Sequence, residues 1–355
     1  MIRNKLIQLL LLPFSLLYGL GVSIRNFSYR YGLLKGVEFN LPVISVGNLT
    51  IGGAGKTPHI EYLIRLLKDY ISIATLSRGY GRSTKGFLLV NPAHSAEQVG
   101  DEPLQFKRKF PEVMVAVDEN RAFAIPQLVM EDPNLKTVLL DDAFQHRSVQ
   151  PGLNILLTEY SQPFSKDFLL PSGRLREWRS AYQRADMIIV SKCPYEWDEQ
   201  IKKEMEESIQ PLPYQTLYYS YYQYDDPYYI FNQHYQGPLQ EQWTILLVSA
   251  IARTEYLVHY LEEKVDHVKL LQYEDHHYFT KYDVSHIQQT FERIDAPHKI
   301  ILTTEKDAMR LELHQDFLRE HQLPVFVLPV QVAFHGEDAE RFNKDVQEYL
   351  LGFKS

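Results

Sequence analysis

The run Gly47-Asn-Leu-Thr-Ile-Gly-Gly-Ala-Gly-Lys-Thr57 follows an apolar stretch, Leu41–Val46, and leads into Pro58 and a segment with apolar residues at Ile60, Leu63, Ile64 and Leu67. Strand, glycine-rich turn, Lys-Thr and helix is the order of a phosphate-binding loop. Gly52, Gly53 and Gly55, with Thr50 and Ala54 between and before them, let backbone N–H groups close around phosphate oxygens at a helix amino terminus. Lys56 suits the β and γ phosphates, and the Thr57 hydroxyl suits a magnesium ion. Thr50 stands where the strict pattern has its first glycine. Pro58 costs nothing in the first helical turn, where its missing N–H has no partner to lose.

A second apolar stretch, Thr137-Val-Leu-Leu, ends in Asp141 and Asp142. An acid at a strand end is what a phosphate-loop enzyme uses to hold Mg²⁺; a solvated turn is the plainer alternative. Further polar groups gather in Ala143-Phe-Gln-His-Arg147, Ser77-Arg-Gly-Tyr-Gly-Arg82, Gly100-Asp-Glu-Pro103 and Leu170-Pro-Ser-Gly-Arg-Leu-Arg-Glu177. Their residue types allow phosphate clamping or hydroxyl activation, and an ordinary turn would account for each one taken alone. Glu274-Asp-His-His277 offers ligand types in a row, but adjacent ligands rarely serve one tetrahedral zinc, so a histidine that orients or carries a proton is the expectation.

The elements that must position these groups are legible as a rhythm. Apolar strands at 43–46, 73–76, 113–117, 138–140, 155–158 and 187–191 alternate with helices or loops, the pattern of a doubly wound parallel sheet. Eight tyrosines between Tyr214 and Tyr229 read as half-exposed strands forming a two-stranded connector, since no basic residue is interleaved for base stacking. A second βα series follows at 243–248, 268–271, 300–303 and 325–328, with a final helix from Glu337 to Leu351. The expected division is 1–28, a membrane-associated helix; 29–212, a P-loop domain; and 213–355, the connector and a smaller α/β domain.

Residues Leu6 to Ile24 carry no charge, with Arg3 and Lys5 before them and Arg25 and Arg30 after. Nineteen such residues just match a hydrocarbon core of ~30 Å. No small-residue cleavage site of the A-x-A kind is present, and Pro13, Gly19 and Gly21 weaken a spanning helix. Basic and aromatic flanks at Arg25, Phe27, Tyr29, Arg30 and Tyr31 favour a helix lying in one leaflet.

The stretches VGNLTIGGAGKTP, LSRGYGR, GDEP, LLDDAFQHR, LLPSGRLRE, DHHYFT and TEKDAMRL, in that order from Val46 to Leu311, resemble the bacterial tetraacyldisaccharide 4'-kinase family. The resemblance implies an ATP- and Mg²⁺-dependent enzyme at the cytoplasmic face of the bacterial inner membrane. Its acceptor would be an acylated disaccharide, the lipid A precursor, and a different membrane lipid or sugar is the alternative. It implies that Asp101 is the general base and His276 its partner, with adjacent His277 the competing choice. Asp141, Asp142 and Thr57 would serve magnesium, and Glu102, Arg121, Gln145, Arg176 and Glu177 would line the site or support it. Ala143 and Arg174 stand where relatives often carry Gly and Pro. No obligate protein partner is implied.

Composition narrows the field. Hydrophobic residues make up 45% and charged ones 23%, ordinary for a folded protein. A net charge of −8 argues against a general nucleic-acid binder, and one cysteine, Cys193, allows neither an intrachain disulfide nor a cysteine zinc cluster. A regulatory GTPase would need an N-K-x-D guanine reader; Ser191-Lys-Cys-Pro194 lacks the acid and Thr304-Glu-Lys-Asp307 has the wrong spacing. A nucleotide sensor without turnover would have no evident use for Asp101 and His276.

Overall fold

Strand β1 (Val43–Asn48) is buried along its whole length, as are β2 (Ile73–Ser77), β5 (Thr137–Asp141) and β7 (Met187–Ser191). Continuous burial is what a parallel sheet covered on both faces requires. In the computed structural model, which describes residues 5–353, these strands join β3 (Leu88–Leu89), β4 (Met114–Val117), β6 (Leu153–Glu159), β8 (Thr216–Tyr224) and β15 (Val330–Phe334). The nine run in the order β15-β8-β7-β6-β1-β5-β2-β4-β3, parallel except for the two edge strands β15 and β3. The basic flank expected at Arg3 lies outside the described residues.

Helices α1 (Lys5–Arg30), α2 (Lys56–Leu67), α3 (Ala96–Val99), α4 (Asp101–Lys109), α5 (Arg121–Glu131) and α6 (Glu199–Ile209) belong to this half of the chain. α2 buries Ile60, Leu63 and Ile64, none more than 1% exposed, against the sheet. Each such side chain is worth about 1.5–3 kcal/mol relative to exposure, which holds the phosphate loop at the end of β1.

A second, six-stranded sheet has the order β10-β9-β14-β13-β11-β12. It is built from β9 (Tyr228–Tyr229), β10 (Asn232–Gln236), β11 (Thr244–Ser249), β12 (His267–Gln272), β13 (Lys299–Thr304) and β14 (Val325–Leu328). Its helices are α7 (Glu255–Glu262), α8 (Lys281–Glu292), α9 (Glu305–Leu311) and α10 (Gln315–Glu320). After β14 the chain returns to the larger sheet as β15 and then α11 (Asp338–Gly352). The fold is the expected α/β arrangement of a larger, mostly parallel sheet with a smaller α/β unit.

The tyrosine run divides between the two sheets. β8 pairs in parallel with β7 and takes antiparallel β15 as its other neighbour, Tyr222 opposite Val332, whereas β9 pairs with β14. The two-stranded connector is therefore β8 with β15, not two neighbouring tyrosine-rich strands. Tyr218 and Tyr219 lie fully in the core and Tyr222 faces the site, so the aromatic density serves packing.

α1 is apolar around most of its circumference. Leu9, Leu10 and Leu17 are 66–67% exposed. A narrow stripe docks on the loop around 167–178: the Ser15 hydroxyl donates to the Leu169 carbonyl (3.0 Å), Tyr18 Oη to the Arg176 carbonyl (2.9 Å), and Trp178 Nε1 to Ser23 Oγ (2.9 Å). A side chain at Gly19 would meet the Trp178 ring, so the helix approaches this closely only because that position has none. Among the described residues nothing covers the remaining apolar face, the condition under which a helix partitions into an interface.

Candidate active site

The chain crosses from β1 through α2 to β2 on one side of β1, and β6 lies on the other. A crevice therefore opens at the carboxyl ends of β1, β5 and β6, where α/β sheets place their ligands. The phosphate loop fills it. Gly52 (φ 106°) and Gly55 (φ 86°) both require the left-handed region, and a side chain at Gly55 would strike the Tyr222 hydroxyl. Thr50 bridges to Leu175 in the 167–178 loop, and the carbonyl of buried Ala54 accepts from Ser191 Oγ (2.8 Å). Lys56 Nζ sits 3.4 Å from Asn48 Oδ1 and 3.6 Å from Asp142 Oδ1.

At the end of β5 the two aspartates have different company. Asp142, at φ 44°, accepts both Nη atoms of Arg176 (2.9 and 3.2 Å) and faces Lys56. Burial would raise its carboxyl, but Lys56 and Arg176 outweigh that and hold it well below the usual range. Asp141 is buried with one oxygen bonded to Ser77 Oγ (3.3 Å) and the other, Oδ1, without any hydrogen-bond partner. Burial, with Glu102 and Asp142 nearby, pushes Asp141 up to about 7. A buried carboxylate oxygen lacking a donor is costly unless something else meets it.

Among the described residues no three His, Cys, Asp or Glu side chains converge to hold a metal alone. That suits Mg²⁺, which is held by one or two carboxylates together with phosphate oxygens and water. Thr57, Asp141 and, once released from its cations, Asp142 are the protein groups available to it.

Asp101 opens α4, where Gly100 (φ 93°) packs on Gly79 of the Ser77–Arg82 turn. The residue is 4% exposed; Oδ1 accepts the Glu102 backbone N–H (2.9 Å), and Oδ2 lies 3.1 Å from His276 Nδ1 and 3.3 Å from Arg310 Nη2. Burial raises this carboxyl, and Lys306, His276 and Arg310 together overcome it, leaving Asp101 far below the ordinary value. His276 comes from the other half of the chain and occupies the left-handed region at φ 60°, a strained backbone for a residue other than glycine. His277 points elsewhere, its Nε2 2.9 Å from Asp283 Oδ2.

Glu102 joins the two halves: Oε1 accepts from Thr57 Oγ1 (3.2 Å) and from Lys306 Nζ (3.1 Å). The other residues singled out from sequence support the site from behind. Buried Arg121 donates to the carbonyls of Asp141 (2.5 Å) and Asp142 (3.3 Å), setting the direction of that turn. Gln145 donates to the Asn48 carbonyl (2.8 Å). Glu177, 1% exposed, binds Arg184 through both oxygens and accepts from Asn26 of α1 (3.0 Å), tying the membrane-facing helix to the site.

Sequence reasoning assigned no role to Lys306, Asp307 or Arg310. Arg310 is fully buried, paired to Asp307 at 2.8 Å; Asp307 in turn accepts the Ala250 backbone N–H (3.0 Å) and caps α9 with Thr304. The available signal was the charged run after the apolar strand β13, read as a failed guanine motif and as part of the stretch TEKDAMRL that carries the resemblance, with no role given to its individual residues. A cavity of about 420 Å³ runs from the phosphate loop past Tyr222 and Lys192 to Ala252 and Tyr256, large enough for a nucleotide between the two sheets.

A family model described as tetraacyldisaccharide-1-P 4'-kinase matches residues 7–350. A curated tetraacyldisaccharide 4'-kinase from Bacteroides thetaiotaomicron is 41% identical, covering 96% of this chain and 92% of its own. One of the same name from Flavobacterium psychrophilum is 42% identical over 96% of each chain. Among solved structures, LpxK from Aquifex aeolicus in complex with ATP superposes with a TM-score of 0.72 at 29% identity, covering 97% of this chain and 99% of that one.

Proposed function

The chain belongs to the tetraacyldisaccharide-1-P 4'-kinase family, and from that premise we propose how its residues divide the work. It is a kinase that uses ATP, with Mg²⁺, to phosphorylate the 4'-hydroxyl of a tetraacylated disaccharide 1-phosphate in lipid A synthesis. The observation that carries the assignment of roles is the Asp101–His276 contact, made between the two halves of the chain, with His276 lining the same cavity as the phosphate loop.

Asp101 is the base that takes the proton from the 4'-hydroxyl as the γ-phosphoryl group is transferred. The state of its partner follows from donor chemistry. Lys306 is held protonated: burial disfavours its charge, but Glu102, Asp101 and Asp275 more than compensate. An ammonium can only donate, and its Nζ lies 2.9 Å from His276 Nε2. Nε2 is therefore the acceptor, the ring hydrogen sits on Nδ1, and Nδ1 donates to Asp101 Oδ2. Asp101 is thus kept ionised and oriented by a neutral imidazole. Lys56 and the loop amides hold the phosphates; Thr57 and Asp141 would hold the magnesium ion, which would supply positive charge against that of the transferring group. Glu102 couples the two sides by bonding Thr57 and Lys306 together. The six-stranded unit, which supplies His276 and Lys306, closes over the nucleotide to exclude water; the domain division at 28/29 and 212/213 is our proposal for the parts involved. With α1 in one leaflet and ATP required, the site works at the cytoplasmic face of the inner membrane.

Phosphate transfer from labelled ATP to the tetraacylated disaccharide 1-phosphate in detergent micelles tests the function directly. Transfer that depends on Mg²⁺ is expected; none from well-folded protein would reject the acceptor. The tautomer argument has its own readout. Lys306→Met is expected to lower kcat about 10–100-fold and to convert the His276 ¹⁵N spectrum from a single Nδ1–H form to a mixture. An unchanged spectrum would remove Lys306 from the relay.

A further inference from the structure

His59 ends the first turn of α2 and is buried against the phosphate loop. Its Nδ1 lies 2.7 Å from the Gly55 carbonyl oxygen, and its Nε2 lies 3.0 Å from Ser220 Oγ. A carbonyl oxygen only accepts, so the ring hydrogen is on Nδ1 and Nε2 accepts from the Ser220 hydroxyl. Burial brings the imidazole down to about 4; the bond to Gly55 opposes this and Lys192 adds to it, so the ring is neutral and carries one hydrogen. Ser220 is itself buried on β8, opposite Phe334 of β15, and the Phe334 ring meets the imidazole edge-on.

The orientation of the Gly55 carbonyl decides where the next amide points. Gly55 is left-handed at φ 86° and caps α2, and the helical bond from the His59 backbone N–H to its carbonyl is long, 3.3 Å. The side-chain bond to the same oxygen is the shorter of the two. A trans peptide is planar, with its C=O and N–H directed opposite ways. Holding the Gly55 oxygen toward His59 therefore sends the Lys56 N–H the other way, out of the helix amino terminus, where loop amides meet phosphate. A glycine takes either sign of φ at little cost, so this peptide needs an anchor to stay in one orientation. β8 backs the loop a second time two residues on, on the face it shares with Ser220, where the Tyr222 hydroxyl stands against Gly55.

We propose that His59 is a positioning residue for the phosphate loop: its Nδ1–H, with Ser220 bonded at the far side of the ring, pins the Gly55–Lys56 peptide so that the Lys56 N–H faces the phosphates of the nucleotide. The inference rests on the loop holding ATP. Anchoring the peptide and filling the core are different jobs, and two substitutions separate them. Phenylalanine keeps a ring against Phe334 and loses the donor. The Gly55 carbonyl then keeps the backbone N–H of residue 59, and Ser220 Oγ turns to the Val190 carbonyl, 3.4 Å away, so no buried group is stranded. Asparagine places its amide nitrogen where Nδ1 stands and leaves a gap where the rest of the ring was, so it keeps the donor and loses packing.

Wild type, His59→Phe and His59→Asn are compared by steady-state kinetics, with ATP and the acceptor varied in turn, and by thermal melting with and without ATP and Mg²⁺. In His59→Phe the KM for ATP is expected to rise about five- to tenfold, the scale of one hydrogen bond. Its kcat should stay within about threefold of wild type, because the loop amides hold phosphate in the ground and transition states alike. Its KM for the acceptor and its melting temperature without nucleotide should match wild type, while the upward shift on adding ATP shrinks. His59→Asn should do the reverse, melting lower but keeping a KM for ATP within about twofold of wild type. A KM for ATP that tracks melting temperature through both variants, or a folded His59→Phe enzyme with the wild-type KM, would reduce His59 to packing. If His59→Phe does not fold, His59→Asn decides alone: a KM near wild type supports the donor and a raised one overturns it. A wild type whose melting ATP does not shift would instead reject the phosphate-loop reading on which the proposal rests.

Discussion

Asp101→Asn is expected to lower kcat by about 10²–10⁴-fold, the range for loss of a positioned base, with ATP affinity essentially unchanged. Asparagine keeps the shape and can still accept from the Glu102 N–H and from Arg310, so the change isolates the negative charge. The cations around Asp101 hold it far below its ordinary value of 3.8, so it is ionised at any working pH and the acid limb of the rate profile is not its own. A weakly basic carboxylate suffices because the phosphoryl-transfer transition state is loose and the hydroxyl proton leaves late. The same depression contributes stability, present above the unfolded pKa and lost as pH falls through the folded one. Removing the charge leaves Arg310 with Asp307 and Lys306 with Glu102, so the stability loss is modest, roughly 1–3 kcal/mol. Turnover measured together with the melting temperature separates the two effects. A variant that binds ATP, melts normally and turns over at more than a tenth of the wild-type rate would exclude Asp101 as the base.

The parts of this site that lie close together in the chain could be read from the sequence. The phosphate loop is a local device: its glycines, Lys56, Thr57 and the following helix lie in one continuous stretch, Gly47 to Leu67, and their chemistry demands that spacing. The strand-end pair Asp141-Asp142 was legible for the same reason. What the spacing could not show is that Asp142 is engaged by Arg176, thirty-four residues on, leaving Asp141 with the unpartnered oxygen. The base and its partner are 175 residues apart, and only the resemblance paired them before the geometry did. Lys306 and Arg310 were hidden for a further reason: charged residues on a short helix look solvated until a second sheet buries them. The docking of α1 was hidden as well. Its hydropathy announced a membrane, but the small and polar stripe Ser15, Gly19, Ser23 and Asn26 that seats it on Trp178 and Glu177 has meaning only beside those residues. The tyrosine run kept its strand character and changed partners, because β15 returns from the far end of the chain to take the edge of β8.

Asp141→Asn should produce a more stable and nearly inactive protein. With Asp141 raised to about 7, the folded state binds a proton that the unfolded chain, titrating near 3.8, has released. Between those values stability falls as pH rises, and above about 7 the full cost of a buried, unpartnered charge remains. Asparagine cannot ionise, so the metal-free variant is expected to melt higher than wild type at pH 8, by on the order of 2 kcal/mol, and to match it near pH 4. Catalysis moves in the opposite direction. Without this carboxylate the metal loses its one deeply buried ligand, and kcat/KM should fall about 10²–10³-fold. In wild type the proton competes with the ion, so the Mg²⁺ concentration needed for half-maximal rate should rise as pH drops below about 7, approaching tenfold per unit. Binding at pH 7 should accordingly release protons, measurable by titration calorimetry in two buffers of different ionisation enthalpy. The variant should release none. Equal proton release from both proteins, or a variant whose Mg²⁺ requirement follows the same pH curve as wild type, would place the titrating group elsewhere. On the proposed assignment, the cost of a buried carboxylate oxygen without a donor is what the enzyme carries in its resting state so that the metal would be held where phosphate charge accumulates.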